Sequence, residues 1–211
     1  PLISAFPNRQ FYGGSLSDGV TAEQRAGVRM PGRNGVVVWW HVADHEANVG
    51  GSYSNAAEVR TVRSVVQHLV EKGVAHSAIG IVTPYDAQRS LVLEQLHAVA
   101  PDLMVDSVNA FQGEERDYIV MTSVRSNDAY RLGFVSDWRR LNVAMTRARR
   151  GLVVVGDSVT FSRDKHWRAF IDHVSSDEYG ALMHGENFSE LSRLRPQFDG
   201  EESASGAAGV D

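Results

Sequence analysis

Three short stretches of this sequence carry side chains whose types and spacing could do chemistry. Ser107–Arg125, SVNAFQGEERDYIVMTSVR, sets a polar, glycine-containing loop between two apolar runs. Gly113 allows a positive φ or a close backbone approach, while Gln112, Glu115 and Arg116 supply groups able to address a ribose, a phosphate or a neighbouring domain. Arg139–Arg150, RRLNVAMTRARR, packs five arginines into twelve residues. A guanidinium keeps its charge and grips phosphate oxygens in a planar fork, so such an arginine is suited to stabilising γ-phosphate charge. The plainer alternative is a solvated basic face or ion pairs to Asp137 and Glu115. Thr83–Ser90, TPYDAQRS, joins the end of an apolar run to a helical pattern. Asp86 suits a helix start there, whereas a hydroxyl, an aromatic ring, Gln88 and Arg89 could contact a nucleic-acid backbone or stack on a base. The histidines show no metal-ligand spacing.

These stretches need a scaffold, and the hydrophobic pattern supplies one. VVVWWHV at 36–42 is a continuous apolar run between Gly35 and Asp44, as expected of a strand buried on both faces. Asn55 offers a helix start, and Val62, Val65, Val66, Leu69 and Val70 repeat at helical spacing until Gly73. A strand over 78–84 and a helix over 85–99 follow, then strands over 103–108 and 118–124. A helix from Asp137 to Arg149 is predicted to bury Leu141, Met145 and Ala148, with a last strand over 151–157. On that helix Arg140 and Arg147 share a face, and Arg149 is turned about 160° from Arg147. Strands alternating with helices imply an α/β fold with a mostly parallel sheet covered on both faces. Ligands in such sheets sit at the carboxyl ends of the strands.

The first 30 residues are glycine-rich and predict extended packing. Residues 1–175 form the predicted domain, 176–200 an extension and 201–211, EESASGAAGVD, a disordered acidic tail. The net charge of −5 divides unevenly: residues 176–211 hold eight Asp/Glu and two Arg, leaving +1 for the domain. With no cysteine there is no disulfide framework and no thiolate metal site, as suits a reducing compartment. No run is apolar enough over about 20 residues to span a bilayer, so no membrane partner is expected. The sequence opens on Pro1, so its natural start is expected upstream.

IGIVTPYDAQRS, VNAFQGEERDYIVMTSVRSN and GFVSDWRRLNVAMTRARRGLVVVGD, in this order and spacing, resemble the later motifs of superfamily 1 helicases, specifically the up-frameshift RNA helicases of nonsense-mediated mRNA decay. SAFPNRQFYGGSLSDGVT resembles the segment after that family's Tyr-Arg-Met-His-Pro motif, and the likeness runs from about Leu2 to Asp157. The resemblance implies a RecA-like fold in the role of a second, C-terminal motor domain. It makes Arg147 the arginine finger, with Arg149 supporting the interdomain cleft and Gln112 bridging nucleotide and nucleic acid. Gly113 and Glu115 would face the nucleotide phosphates and ribose, and Glu58 would also turn toward the nucleotide. Thr83, Pro84 and Tyr85, with Ser107 and Asn109 beside them, would lie along the nucleic-acid strand. The family usually has Asp where this chain has Asn109, and basic or varied residues at Glu114.

No G-x-x-x-x-G-K-[ST] phosphate loop occurs in the chain. The resemblance therefore implies that ATP and Mg²⁺ are bound jointly with a first RecA-like domain outside this chain, and that the chain alone is inactive. Single-stranded RNA is the expected track, with DNA as the alternative, and mRNA decay factors are further partners the family suggests. The resemblance places the protein in the cytoplasm, with the nucleus as the other compartment. Two other readings stay open: a related DNA or transcription-termination helicase, and a non-catalytic interaction module.

Overall fold

The computed structural model describes residues 1–184 except Gln112, Asp177 and Gly180, and the backbone alone of Leu141. A first helix, α1 (Ala5–Phe11), is followed by the buried strand β1 (Val37–His41) and an exposed hairpin, β2 (Ala47–Val49) and β3 (Ser52–Ser54). Then come α2 (Ala56–Glu71), β4 (Ile79–Val82), α3 (Asp86–Leu96), β5 (Met104–Asp106) and β6 (Arg116–Thr122). The chain continues through α4 (Trp138–Met145), β7 (Ala148–Gly156), α5 (Ser158–Phe161), α6 (Lys165–Ser175) and β8 (Leu182–His184).

Six of the strands form one sheet in the order β5-β4-β6-β7-β1-β8, and every pairing is parallel. This is the α/β, RecA-like class expected from the motifs. Strand order moves one way through β1, β4 and β5 and the other way through β6, β7 and β8. Right-handed crossovers therefore place α2 and α3 on one face and α4 and α6 on the other. Aromatic contacts agree with this: Trp138 of α4 lies 6.1 Å from His166 of α6, and Phe11 of α1 stacks on Trp138 at 4.6 Å.

The elements form where local chemistry favours them. Asn55 caps α2 by accepting from the Glu58 amide, Asp157 caps α5 and Asp164 caps α6. Trp39 is fully buried at the centre of β1, with its indole N–H donating to the Gly156 carbonyl at 3.0 Å. Gly80 of β4 leaves room for Phe111: a Cβ there would meet the Phe111 ring at 2.7 Å. That contact pins the β5–β6 connection against the sheet.

Three expectations are corrected. The N-terminal segment is not extended throughout. Residues 5–11 are helical because Phe6 has a buried site against Phe170, at 5.2 Å, and His173, at 5.4 Å. His173 is held neutral there, its pKa pushed down to about 4 by burial and by Arg9, whose guanidinium donates to Nδ1 at 2.9 Å. Second, the domain does not end at residue 175: Tyr179 and Ala181 are buried, and β8 extends the sheet beside β1. The proposed tail, 201–211, lies outside the described residues. Third, α4 stops at Met145, and Ala148 begins β7 instead of continuing the helix. The side chain of Leu141, expected to be buried on α4, also falls outside the description.

Candidate nucleotide edge and nucleic-acid edge

Because all six strands run the same way, each starts on one edge of the sheet and ends on the other. The candidate residues divide between these edges. Gly113 and Glu115 directly precede β6, and Arg147 directly precedes β7, so they occupy the amino-terminal edge. The Arg116 amide donates to the Arg147 carbonyl at 3.1 Å, which ties the two segments together. Thr83, Pro84 and Tyr85 follow β4, and Ser107 and Asn109 follow β5, on the carboxyl-terminal edge. The second set thus lies at the carboxyl-terminal edge, where ligands of such sheets are expected, and the first set at the opposite edge. The chain crosses from one edge to the other within the loop that Phe111 anchors.

At the amino edge, Arg149 donates through Nε to Glu115 at 2.8 Å, and both are about half exposed. That hydrogen bond, with the added charge of Arg149, Arg147 and Arg25, holds the Glu115 carboxyl below its ordinary range. For Arg149 the ion-pair alternative is the arrangement seen. Arg147 is different. It sits in the turn between α4 and β7, its guanidinium donating to the Val143 carbonyl and the Thr146 hydroxyl, each at 3.2 Å. Among the described residues no carboxylate lies within ion-pair distance of it. Arg149 lies on a strand, so the helical face relation expected between it and Arg147 does not apply. Gly113 has φ +84°, a left-handed conformation that glycine adopts freely. An open cleft of about 190 Å³ at this edge is lined by Arg25, Glu115, Thr146, Arg149 and Arg150 together with the Pro1–Ser4 segment. Gln112 lies outside the described residues.

Glu58 lies beneath the carboxyl-terminal edge, where β6 and β7 end at Thr122 and Gly156. It is fully buried, its carboxylate accepting from the Val124 amide at 2.9 Å and from the Thr122 hydroxyl, which in turn accepts from Gln88 at 2.8 Å. Glu58 belongs to the apolar face of α2 with Val62 and Val65 and turns into the sheet, at the edge opposite Gly113 and Glu115. The segment it braces is strained. Val124 has φ +72°, and the Arg125 amide donates to the Ser123 carbonyl at 2.9 Å, closing a γ-turn around a β-branched residue.

Burial pushes the Glu58 pKa up to about 8, against the opposing pull of the Thr122 and Val124 donors. A carboxyl whose folded pKa is raised binds its proton more tightly folded than unfolded. Its contribution is therefore complete below about pH 4.5 and declines as pH rises toward about 8. The melting temperature of the wild type minus that of Glu58→Gln is expected to fall across this window, measured from pH 5 to pH 8. A difference that stays flat or grows with pH would show a carboxylate kept ionised by its donors.

On the carboxyl edge, Thr83 and Tyr85 are buried, Pro84 and Ser107 half-buried, and Asn109 exposed. Tyr85 is no free stacking ring: it is 6% exposed, wedged between Tyr53 at 5.4 Å and Phe134 at 4.9 Å. Its hydroxyl accepts from Arg125 at 3.2 Å. Arg125 in turn lies over the Tyr53 ring at 4.3 Å and pairs with Glu46 at 3.0 Å. Neither spacing nor hydrophobic pattern in the sequence points to Tyr53, Glu46, Arg125 or Phe134 as a group.

Comparison with known proteins agrees with the motif order. Residues 1–159 match the family model described as AAA domain. The chain is 40% identical over 191 residues to "Regulator of nonsense transcripts 1" of Caenorhabditis elegans, covering 84% of this chain and 18% of that protein. It is 36% identical over 198 residues to "ATP-dependent helicase NAM7" of Saccharomyces cerevisiae, with 88% and 20% covered. With "ATP-dependent helicase upf1" of Schizosaccharomyces pombe it shares 36% over 213 residues, with 93% and 23% covered. The chain thus spans about one fifth of the length of the curated relatives it matches. It belongs to the AAA domain family, and it is similar to one part of proteins named as regulators of nonsense transcripts and ATP-dependent helicases.

Proposed function

We propose that this chain is the second motor domain of an ATP-dependent RNA helicase acting in nonsense-mediated mRNA decay, in the cytoplasm. The observation that carries the reading is the separation of the two residue sets. Gly113, Glu115 and Arg147 share one edge, and Pro84, Ser107 and Asn109 share the other. A motor domain needs this arrangement, because nucleotide chemistry on one side must be coupled to a strand on the other. Residues of the amino edge suit a nucleotide polyphosphate: Arg147 is a guanidinium with no carboxylate partner among the described residues, and Gly113 leaves its backbone open. ATP with Mg²⁺ would supply the transferable phosphoryl group there, held jointly with the first motor domain of the same protein. Within this chain, Glu115 would hold the ribose, Arg147 would meet phosphate charge and Arg149 would fix Glu115. On the other edge the exposed polar groups of Ser107 and Asn109 would touch a single strand, RNA in the first instance. Decay factors would be partners of the whole protein.

The isolated chain is expected to hydrolyse no ATP above background, with or without oligouridylate. Joined to the first motor domain in one polypeptide, it is expected to show RNA-stimulated hydrolysis. Turnover by the isolated chain that survives repurification, or no stimulation in the joined protein, would count against the reading.

A further inference from the structure

The carboxyl edge carries an exposed feature that neither motif assigns. Between β6 and α4 the chain makes a tight turn, Gly133–Ser136, with Leu132 and Val135 buried on either side of Phe134. The turn is fixed from three directions. The Trp167 indole donates to the Val135 carbonyl at 2.9 Å, the Ser136 hydroxyl to the Gly133 carbonyl at 2.9 Å, and the Asn127 side chain exchanges two hydrogen bonds with the Arg131 backbone. Phe134 is nevertheless 46% exposed, and Tyr130 just before it is 42% exposed.

A single exposed aromatic is ordinary. Two features set this pair apart. Each ring has an arginine over it: Arg140 lies 5.1 Å from the centre of Phe134, and Arg163 lies 4.4 Å from that of Tyr130. Exposed Arg131 adds a third cation, and among the described residues none of the three has a carboxylate within ion-pair distance. Asp137 instead caps α4 and pairs with Arg139. Phe134 is also the outermost ring of the series Tyr53, Tyr85, Phe134, whose middle ring follows β4 on the nucleic-acid edge.

We propose that Phe134 and Tyr130, with Arg131, Arg140 and Arg163, form a base-stacking platform for single-stranded nucleic acid, continuing the strand's path beyond Tyr85. This rests on the reading of the carboxyl edge as the nucleic-acid edge and adds the site where bases are held. Rings with flanking guanidinium groups suit a polyanion whose bases stand free of a duplex, because every base offers a face to stack and every phosphate a charge to neutralise. A rigid turn gives up little entropy when the base arrives. Base faces are common to RNA and DNA, so the platform serves either strand.

The test is fluorescence-anisotropy titration of this chain with labelled 12-mers of three kinds: oligouridylate, oligothymidylate and an abasic sugar-phosphate chain. Phe134→Ala is expected to weaken binding of both base-bearing strands by about 5- to 100-fold and to leave the abasic strand unchanged. Phe134→Trp should retain affinity within about threefold, since it keeps a stacking face. Arg140→Gln and Arg163→Gln should each lower the salt slope by about one for all three strands. Circular dichroism checks folding, and Phe134→Leu replaces Phe134→Ala if the latter is destabilised. Equal losses on base-bearing and abasic strands, or none in a folded variant, would overturn the platform. If Ser107→Ala and Asn109→Ala weaken binding while Phe134→Ala does not, the platform fails and the nucleic-acid edge stands. No binding to any strand, in this chain or joined to the first motor domain, would overturn both.

Discussion

Replacing Arg147 by alanine is expected to lower kcat of the joined two-domain helicase by about 10³-fold or somewhat less, with a much smaller effect on RNA affinity. The reason lies in where the guanidinium is held. Among the described residues, it is fastened only by the Val143 carbonyl and the Thr146 hydroxyl, on a turn at the amino-terminal edge of the sheet. These are neutral acceptors, so its charge is not cancelled before a phosphate arrives. If the charge meets the γ-phosphate only when the two domains close, its energy is expressed mainly in the transition state and appears in kcat. The loss should fall toward or below the lower end of the range known for arginine fingers, because the lysine and Mg²⁺ of the first domain remain. Arg147→Lys should rescue poorly, since a point charge cannot reproduce the planar fork.

The contrasting expectation is a solvated cation. Removing one of those costs at most about 1 kcal/mol and leaves turnover nearly intact. Steady-state ATPase at saturating RNA separates the two, and near-wild-type kcat in a folded Arg147→Ala protein would remove the arginine finger from this account. Arg149 is the internal comparison. Its charge is already paired with Glu115 at 2.8 Å, so its substitution should act through the position of Glu115 and cost less.

The parts of the fold that read clearly from sequence are those in which one physical signal dominates. A strand buried on both faces leaves nothing but an apolar run, as at 37–41 and 79–82, and a cap followed by a 3.6-residue repeat marks α2 from Asn55 onward. Where two signals compete, the boundary moves. Ala144–Arg149 reads as a continued helix because alanine and arginine favour one, yet pairing of Ala148 with Arg116 at the start of the β6–β7 ladder outweighs that local preference. After the Asp164 cap, Trp167, Phe170, Ile171 and Val174 repeat at helical spacing and likewise mark α6. Other signals are absent, since three residues of β8 carry too little pattern to betray a strand.

The site was legible to a similar degree. Motif order points to Gly113, Glu115 and Arg147 as a group, but no one-dimensional spacing could reveal that they lie across the sheet from Ser107. Glu58 is a different case: the family likeness turns it toward the nucleotide, while its spacing from Val62 and Val65 places it on the buried face of α2. Arg125 and Glu46 lie 79 residues apart, and only the meeting of the β6 end with the approach to the β2–β3 hairpin makes them a pair.

That pair supports the second large expectation. Arg125→Met should destabilise the chain by about 3 kcal/mol or more, because removing one partner leaves the other charge buried. Both side chains are less than 10% exposed, so neither can recover its hydration in place. Loss of Arg125 also removes the donor to Tyr85 and the cation over Tyr53, loosening the aromatic series at the carboxyl-terminal edge. Glu46 would keep the Ser126 amide and Asn127 side-chain donors, which holds the cost toward the lower end. Glu46→Leu should cost more, since it leaves Arg125 charged and those donors unpaired. In Arg125→Met/Glu46→Leu the buried charges disappear together, and the loss should fall short of the sum of the single losses by about 2 kcal/mol. Urea unfolding monitored by tryptophan fluorescence measures all three variants. Arg125→Met within about 1 kcal/mol of wild type, or additive losses in the double variant, would mean that the pair behaves as a screened surface contact.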